Sequence, residues 1–290
     1  MNRTLQIGIG IGVAAVMAAG GYVWWQQRQR AAVAPPAPPP VAQAPAAEPA
    51  ASVPQVPAVK YPIEAAASAV AAAPAAGDAP RPVPSSLAQS DDYMRDALQA
   101  LLGKSTVLAM LQTDGFVRRV VATVDNLPRS HAAPRLWPVL PTQGRFTVEQ
   151  RDGGTWLSPR NANRYAAFMR LLDALDARQA VALYVRTYPL FQQAYEELGY
   201  PGRPFNDRVV EAIDDLLATP ELSGPVALEL PEVKGPYTIE RPWVAYRYVD
   251  ANYENRSAGQ KILLRMGSAN ALRVKAKLAE VRRLLAGGVR

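Results

Sequence analysis

The sequence RQAVALYVRTYPLFQQAYEEL, residues 178–198, decides the fold. Its spacing predicts one long helix, and four aromatic side chains recur at helical intervals along one face of that helix. They are Tyr184, Tyr188, Phe191 and Tyr195. Two interpretations stay open: the stripe packs in the core, or it lines a groove for glycan chains or a partner helix. Tyrosine suits such a groove because it joins a large apolar area to a hydroxyl.

Helical patterns continue on both sides of this segment. Each pattern begins at capping residues or ends at glycine or proline. In the first one, Ser90 is the capping residue and Gly103 ends the helix. The further predicted helices cover residues 90–102, 105–111, 116–126, 161–175, 206–218, 257–266 and 268–285. The sequence therefore predicts a mainly α globular domain over residues 86–290.

Two short segments predict β-structure within this domain. Residues 146–150 alternate apolar and polar side chains, the turn Asp152-Gly153-Gly154 follows, and Thr155 to Leu157 return, which indicates a small hairpin. Residues 226–233 form a second candidate strand, which Pro231 restricts to an edge position because proline cannot donate to a ladder.

Residues 5–25 are uncharged and largely apolar and end in Trp24 and Trp25. As a helix they would rise about 31 Å, close to the hydrocarbon thickness of a bilayer. We therefore predict a transmembrane anchor at 5–25 that follows a short tail at 1–4. A cleavable signal peptide ending near Ala18 is the alternative.

Residues 26–85 consist largely of alanine, proline and valine. Repeated proline removes backbone donors, and the alanines and valines offer no periodic face, so this composition predicts a disordered linker. A short helix within Glu64 to Ala73 fits between Pro62 and Pro74.

The chain carries a formal net charge of +7, and its C-terminal end holds most of it. Residues 256–290 contain nine lysines and arginines against Glu280 alone, a local charge of +8. The candidate basic surface is Arg273, Lys275, Lys277, Arg282 and Arg283. It is either the solvated face of a C-terminal helix or a contact for anionic lipid or an acidic partner. Nucleic acid is not an expected partner, since this stretch contains no aromatic residue on which bases could stack.

The residues offer little for catalysis. The chain has no cysteine and a single histidine, His131, which removes thiolate chemistry and histidine-rich metal sites. We therefore predict no cofactor, no metal and no catalytic residue. Glu211 and Asp215 are the candidate acidic pair, since their spacing places both carboxylates on one helix face. The pair either binds a cation or assists glycan chemistry, or it is a solvated helix surface.

Three segments together resemble an uncharacterised bacterial family: ALYVRTYPLFQQAYEELGYP (182–201), FNDRVVEAIDDLLATP (205–220) and RSAGQKILLRMGSANALRVKAKLAEVRRLL (256–285). Members of that family are similar in combining a membrane anchor, a proline-rich linker and a helical domain of unknown function. The resemblance implies a bacterial envelope setting and no particular activity.

The predicted anchor, linker and helical domain, together with the lack of a recognisable catalytic motif, favour a binding protein over an enzyme. We expect a single-pass protein of the bacterial inner membrane whose helical domain lies in the periplasm and binds an envelope protein or a cell-wall component. The alternatives are an envelope enzyme that acts on glycan through acidic residues, and a cytoplasmic membrane-held regulator that uses its basic C-terminal helix.

Overall fold

The structure, a computed structural model, describes residues 58–71, 82–232 and 239–287. The first elements are α1 (Ile63–Val70), α2 (Ser90–Leu102), α3 (Lys104–Met110), α4 (Phe116–Asn126), β1 (Val148–Arg151) and β2 (Gly154–Leu157). Next come α5 (Asn161–Arg164), α6 (Ala166–Ala174), α7 (Ala177–Glu197), α8 (Phe205–Leu217) and β3 (Ala227–Glu229). The last are α9 (Pro242–Ala245), β4 (Arg247–Tyr248), α10 (Ala251–Glu254), α11 (Ala258–Met266) and α12 (Ser268–Leu285). The described part is thus mainly helical with one small sheet, as predicted.

Helix α7 contacts α1, α4, α8 and α12. It begins after Asp176, whose carboxylate accepts a hydrogen bond of 2.8 Å from the backbone N–H of Gln179 and so caps the first turn. Leu190 and Phe191 belong to a hydrophobic cluster shared with α2 and α4. Val181 belongs to a second cluster, shared with α1, α8 and α12. Because α7 contributes to both clusters, its pattern dominates the fold.

Strands β1 and β2 form the predicted hairpin, in which Arg151 pairs with Gly154. Asp152 and Gly153 between them have φ angles of 52° and 72°, the left-handed conformation that a tight two-residue hairpin turn requires. Strand β3 pairs with both β2 and β4, so the antiparallel sheet has the order β1-β2-β3-β4.

The predicted edge position of the strand at 226–233 is wrong. Strand β3 lies between two neighbours and ends at Glu229, so Pro231 never enters the ladder and its missing donor costs nothing there. One face of the sheet buries Leu228 and Tyr248 against Leu264 of α11.

Helix α1 lies within residues 26–85, which the sequence predicted as linker. Ala66 is fully buried and Val70 is 5% exposed, in the cluster with α7, α8 and α12. Close approach is possible because the facing residues are small: a Cβ placed on Gly287 would come within 2.8 Å of the Ala65 side chain. The short helix that fitted between Pro62 and Pro74 is therefore part of the core, in contrast to the disorder expected for the whole linker.

Polar contacts from α8 hold the chain just before α1. The Asp207 carboxylate accepts hydrogen bonds from the backbone N–H groups of Lys60, at 3.0 Å, and Tyr61, at 2.8 Å. The fully buried Asn206 donates from Nδ2 to the carbonyl oxygen of Tyr61 at 2.8 Å. These bonds satisfy backbone groups that packing removes from water.

The predicted anchor at 5–25, the tail before it and residues 26–57 and 72–81 of the linker lie outside the described residues. Of the helices that the structure does describe, none combines the length and the apolar character needed to span a bilayer.

Replacing Asp207 by alanine tests how α1 is held. The variant leaves two backbone N–H groups without their acceptor, so we expect the free energy of unfolding to fall by about 1–3 kcal/mol. Amide hydrogen exchange measured on the full chain should rise selectively over residues 60–70.

Glu211→Ala is the matched control on the same helix, since it removes only exposed ion pairs, of 3.7 Å to Lys60 and 3.5 Å to Arg208, and no bond to a backbone N–H. We expect that change to stay within about 0.5 kcal/mol. Equal stability and equal exchange in the two variants would show that Asp207 does not hold α1.

Candidate functional site

An open cleft of about 420 Å³ lies where the hairpin approaches the junction of α11 and α12. Its walls come from three separate parts of the chain: residues 149–162, the loop 222–226 and the junction 265–268. Charged, hydroxyl, amide, aromatic and apolar groups all line it. A concave site with a few polar groups on an apolar lining is the usual form of a ligand site.

The turn after the hairpin is fixed by Asn161, which is 1% exposed. Its Oδ1 accepts from the backbone N–H of Thr147 at 2.9 Å, and its Nδ2 donates to the carbonyl oxygens of Thr147 at 2.6 Å and Ser158 at 3.1 Å. The Ser158 hydroxyl donates to Oε1 of Glu149 at 2.9 Å. These contacts order this wall of the cleft and hold the Glu149 carboxylate in place.

Arg265 forms part of the opposite wall. Its Nη2 donates to the carbonyl oxygen of Tyr246 at 3.0 Å, and its guanidinium carbon lies 5.6 Å from the ring centre of Phe146 and 5.8 Å from that of Tyr248. Burial raises the pKa of Tyr248, so this hydroxyl stays neutral beside the cation. The Nε of Arg265 is buried and has no hydrogen-bond partner within the described part of the chain.

Helix α12 begins at the same cleft. Gly267 precedes it with a φ of 82°, and no side chain caps the first turn. Asn270 ties this end to α5, since its Nδ2 donates to the carbonyl oxygens of Ala162 and Met266 at 3.1 Å each. The first N–H groups of a helix have no partner inside the helix and carry partial positive charge.

The electrostatic balance of the cleft is positive. Arg151 and Arg265 line it, together with the first turn of α12, against the single carboxylate of Glu149. This arrangement favours a ligand that carries an anionic group.

The structure packs the aromatic stripe into the core. Phe191 and Tyr195 are each 4% exposed, and Phe191 stacks on Phe205 with ring centres 6.0 Å apart. Tyr184 lies edge-on to Tyr188 at 5.7 Å, and its hydroxyl is buried. Phe191 and Tyr195 are thus core residues, whereas Tyr184 and Tyr188 are partly buried and pack against the same cluster.

Glu211 and Asp215 lie on α8, and each already has partners. Glu211 forms ion pairs with Arg208 and Lys60. The Asp215 carboxylate accepts from the Ser257 hydroxyl at 2.7 Å, beside the first turn of α11. Across the residues that the structure describes, no group of three or more histidines, cysteines or acids is placed to hold a metal ion.

Four of the five candidate basic residues bind other parts of the domain. Arg273 forms an ion pair with Asp173, and Arg282 forms one with Asp214. Lys275 donates to the carbonyl oxygen of Thr219 at 2.6 Å.

Lys277 donates to the carbonyl oxygen of Leu175 at 2.9 Å, whereas Arg283, the fifth candidate, is exposed. The sequence brings these charges together on one helix, but the fold uses most of them to join α12 to its neighbours.

A second polar cluster surrounds Asp125, which is 4% exposed. Its carboxylate accepts from Arg129 at 2.6 Å and from Arg208 at 3.1 Å, and the Tyr200 hydroxyl donates to it at 3.3 Å. Arg129 also donates to that hydroxyl at 2.6 Å. The buried carboxylate is fully hydrogen-bonded, so this cluster joins α4 to α8.

The sequence interpretation missed the cleft residues, although one signal was available. With the turn at Asp152-Gly153, Trp156 must pair with Glu149, as it does, and so shares its face of the hairpin. A large aromatic side chain on a charged face is a candidate for binding.

The described part of the chain is therefore a helical domain with a small antiparallel sheet and a mixed polar cleft between them. The family model described as "Protein of unknown function (DUF3014)" matches residues 116–282, more than half of the chain, and the chain belongs to that family. The match begins with α4 and ends within α12, so it includes every segment of the cleft. No curated protein and no solved structure matches the chain. The resemblance to an uncharacterised family is confirmed.

Tyr184→Phe and Tyr188→Phe distinguish the two hydroxyls of the stripe. Among the described residues the buried Tyr184 hydroxyl has no hydrogen-bond partner, so its removal should leave the free energy of unfolding unchanged or raise it by about 1 kcal/mol. The Tyr188 hydroxyl donates to Oε1 of Gln192 at 2.9 Å, so its removal should cost about 1 kcal/mol. Denaturant unfolding measures both.

The pH dependence gives a second readout of the same pair. Burial raises the pKa of Tyr184 well above 10, so the folded state favours its neutral form, and this contribution is complete below about pH 10. Wild type should lose stability as the pH rises above that value, and Tyr184→Phe should lose less. A larger loss in Tyr184→Phe than in Tyr188→Phe at neutral pH would contradict the assignment.

Proposed function

We propose that the chain is a membrane-tethered binding module whose ligand occupies the cleft between the hairpin and the α11–α12 junction. The cleft carries this proposal because its walls are fixed by hydrogen bonds, as at Asn161 and Asn270, while the Arg265 cation and the first turn of α12 line it. Ordered walls around unused donors favour binding over a purely structural role.

The setting belongs to the proposal as well. Residues 5–25 would anchor the chain in the bacterial inner membrane in a single span, and the domain would lie in the periplasm and meet an envelope protein or the cell wall. The apolar run and the absence of cysteine support this placement.

Packing of α1 changes the expected reach of the tether. Because the chain is held from Lys60 onward, residues 26–57 alone would separate the domain from the membrane. These 32 residues reach about 30 Å as a coil and about 100 Å as a fully extended polyproline helix. The ligand is therefore expected close to the membrane.

The two alternatives rest on residues that have structural partners. Glycan chemistry through Glu211 and Asp215 would use carboxylates that bind Arg208 and Ser257. Regulation through the basic helix would use cations of which most bind the domain itself. No observation favours either over the cleft.

A reporter fused after Arg290 tests the placement. In a bacterial host we expect a periplasm-active reporter such as alkaline phosphatase to be active and a cytoplasm-active reporter such as β-galactosidase to be inactive. The opposite pattern would place the domain in the cytoplasm and remove the cell wall as a partner.

Blocking the cleft tests the binding site. Ser268 is exposed at the rim of the cleft, whereas Ala269 is exposed beside it and does not line it. We expect the purified full chain in detergent to co-sediment with cell-wall material. Ser268→Trp should weaken this binding about tenfold, a loss of about 1.4 kcal/mol.

Ala269→Trp carries the same bulk on the same helix and should bind as wild type does. If both variants co-sediment like wild type, the cleft is not the binding site. If wild type does not co-sediment, the cell wall is not the partner.

A further inference from the structure

Trp156 provides a fixed aromatic surface in the cleft. Its indole Nε1 donates to the carbonyl oxygen of Arg151 at 3.1 Å, and a Cβ placed on Gly154 would come within 3.1 Å of that nitrogen. The ring therefore lies across the glycine, which has no side chain to displace it. The Arg151 guanidinium carbon lies 5.1 Å from the ring centre. A flat ring held in this way is ready to receive a ligand without losing rotamer freedom.

Arg265 provides a fixed cation on the opposite wall. The carbonyl of Tyr246 and the rings of Phe146 and Tyr248 hold its guanidinium group. Its Nε is buried, so a hydrogen bond from Arg265 to a ligand in the cleft would come from the terminal Nη nitrogens of the fork. The planar guanidinium matches the geometry of a carboxylate, which accepts two hydrogen bonds from it.

Backbone donors lie beside this cation. Ser268 is the first residue of α12 and lines the cleft, and no side chain caps this helix. The helix has 18 residues, long enough for its aligned peptide dipoles to favour an anion at this end.

We propose that the cleft binds a saccharide that carries a carboxylate group. The sugar ring stacks on Trp156, and the carboxylate accepts hydrogen bonds from Arg265 and from the backbone N–H of Ser268. This inference rests on the proposed function and names its ligand class.

The other groups of the cleft fit the same ligand. The C–H groups of a sugar ring carry small positive partial charges that suit the negative face of an indole ring. Glu149, held by Ser158, supplies an acceptor for sugar hydroxyls. Leu222 and Val226 supply apolar contacts for ring carbons. A simple inorganic anion would leave Trp156 and these apolar side chains unused.

Two sugars that differ by one carboxylate test the proposal. N-acetylmuramic acid is N-acetylglucosamine with an added lactyl ether, so the pair isolates the charge. In titration calorimetry of the purified full chain in detergent, we expect the acid to bind at least about tenfold more tightly than the neutral sugar, a difference of about 1.4 kcal/mol. Equal affinity for the two, or binding of neither, would overturn the proposal.

A proline at position 268 tests the backbone donor. Proline is well tolerated at the first position of a helix, where its missing N–H has no partner in the helix. Ser268→Pro should reduce the preference for the acid about threefold to tenfold, about 0.7–1.4 kcal/mol, and leave affinity for the neutral sugar unchanged. Ser268→Ala keeps the N–H and should retain the preference. An unchanged preference in Ser268→Pro would exclude the backbone donor.

Side-chain variants test the other two contacts. Trp156→Ala should weaken both sugars, and Arg265→Gln should weaken only the acid. Because Arg265 also contacts Tyr246, thermal unfolding must show that Arg265→Gln is folded. If Arg265→Gln is not folded, Ser268→Pro alone tests the contact with the carboxylate. Exposed Arg283→Gln is the charge-matched control and should bind as wild type does.

Competition separates this ligand class from a plain anion. If acetate or inorganic phosphate displaces N-acetylmuramic acid at equal concentration, the cleft is an anion site and the saccharide assignment fails. If neither sugar binds but Ser268→Trp still removes co-sedimentation with cell wall, the saccharide class is wrong while the proposed function stands.

Discussion

The backbone carbonyl groups at the ends of α6 and α8 need hydrogen-bond donors from outside their own helices. Helix α12 supplies these donors. The last carbonyls of any helix lack a partner within that helix. Leu175 at the end of α6 and Thr219 just beyond α8 receive hydrogen bonds from Lys277 and Lys275. Cations at these positions also oppose the negative end of each helix dipole. Helix α12 also packs on α1, α7 and α8, so the element that supplies these two lysines contacts most of the long helices.

Much of the fold could be predicted because its signals are local. The helix from Ser90 to Leu102 carries Asp91 and Asp92 in its first turn and ends at Gly103, whose φ is 86°. The hairpin follows from alternation around a turn that only a left-handed conformation can close. Helix α1 could not be predicted as core, since its composition matches a linker. Its burial depends on Asp207 and Gly287, which are distant in sequence and reveal nothing in a local window.

The candidate site was harder to predict for a physical reason. Spacing along a helix shows which side chains share a face, but not what lies opposite that face. The stripe at Tyr184 meets Phe205 of α8, and the charge of Arg282 meets Asp214. In each case a partner from another segment decides whether a group is free. The cleft was hard to predict for a different reason. Its walls come from residues 149–162, 222–226 and 265–268, and no sequence pattern links these three segments.

Helix α12 itself shows why the cleft differs from the other polar surfaces of the domain. Along its length the cations are paired: Arg273 with Asp173, Lys277 with a carbonyl, and Arg282 with Asp214. At its start the first turn has no side-chain cap, and the Nε of nearby Arg265 has no partner in the described structure. Buried donors without a partner also occur elsewhere in the described structure, at the Nε atoms of Arg164 and Arg186, so what distinguishes the cleft is that Arg265 lies beside the start of a long helix. Under the proposed function, a ligand in the cleft would supply an acceptor for the first N–H groups of α12.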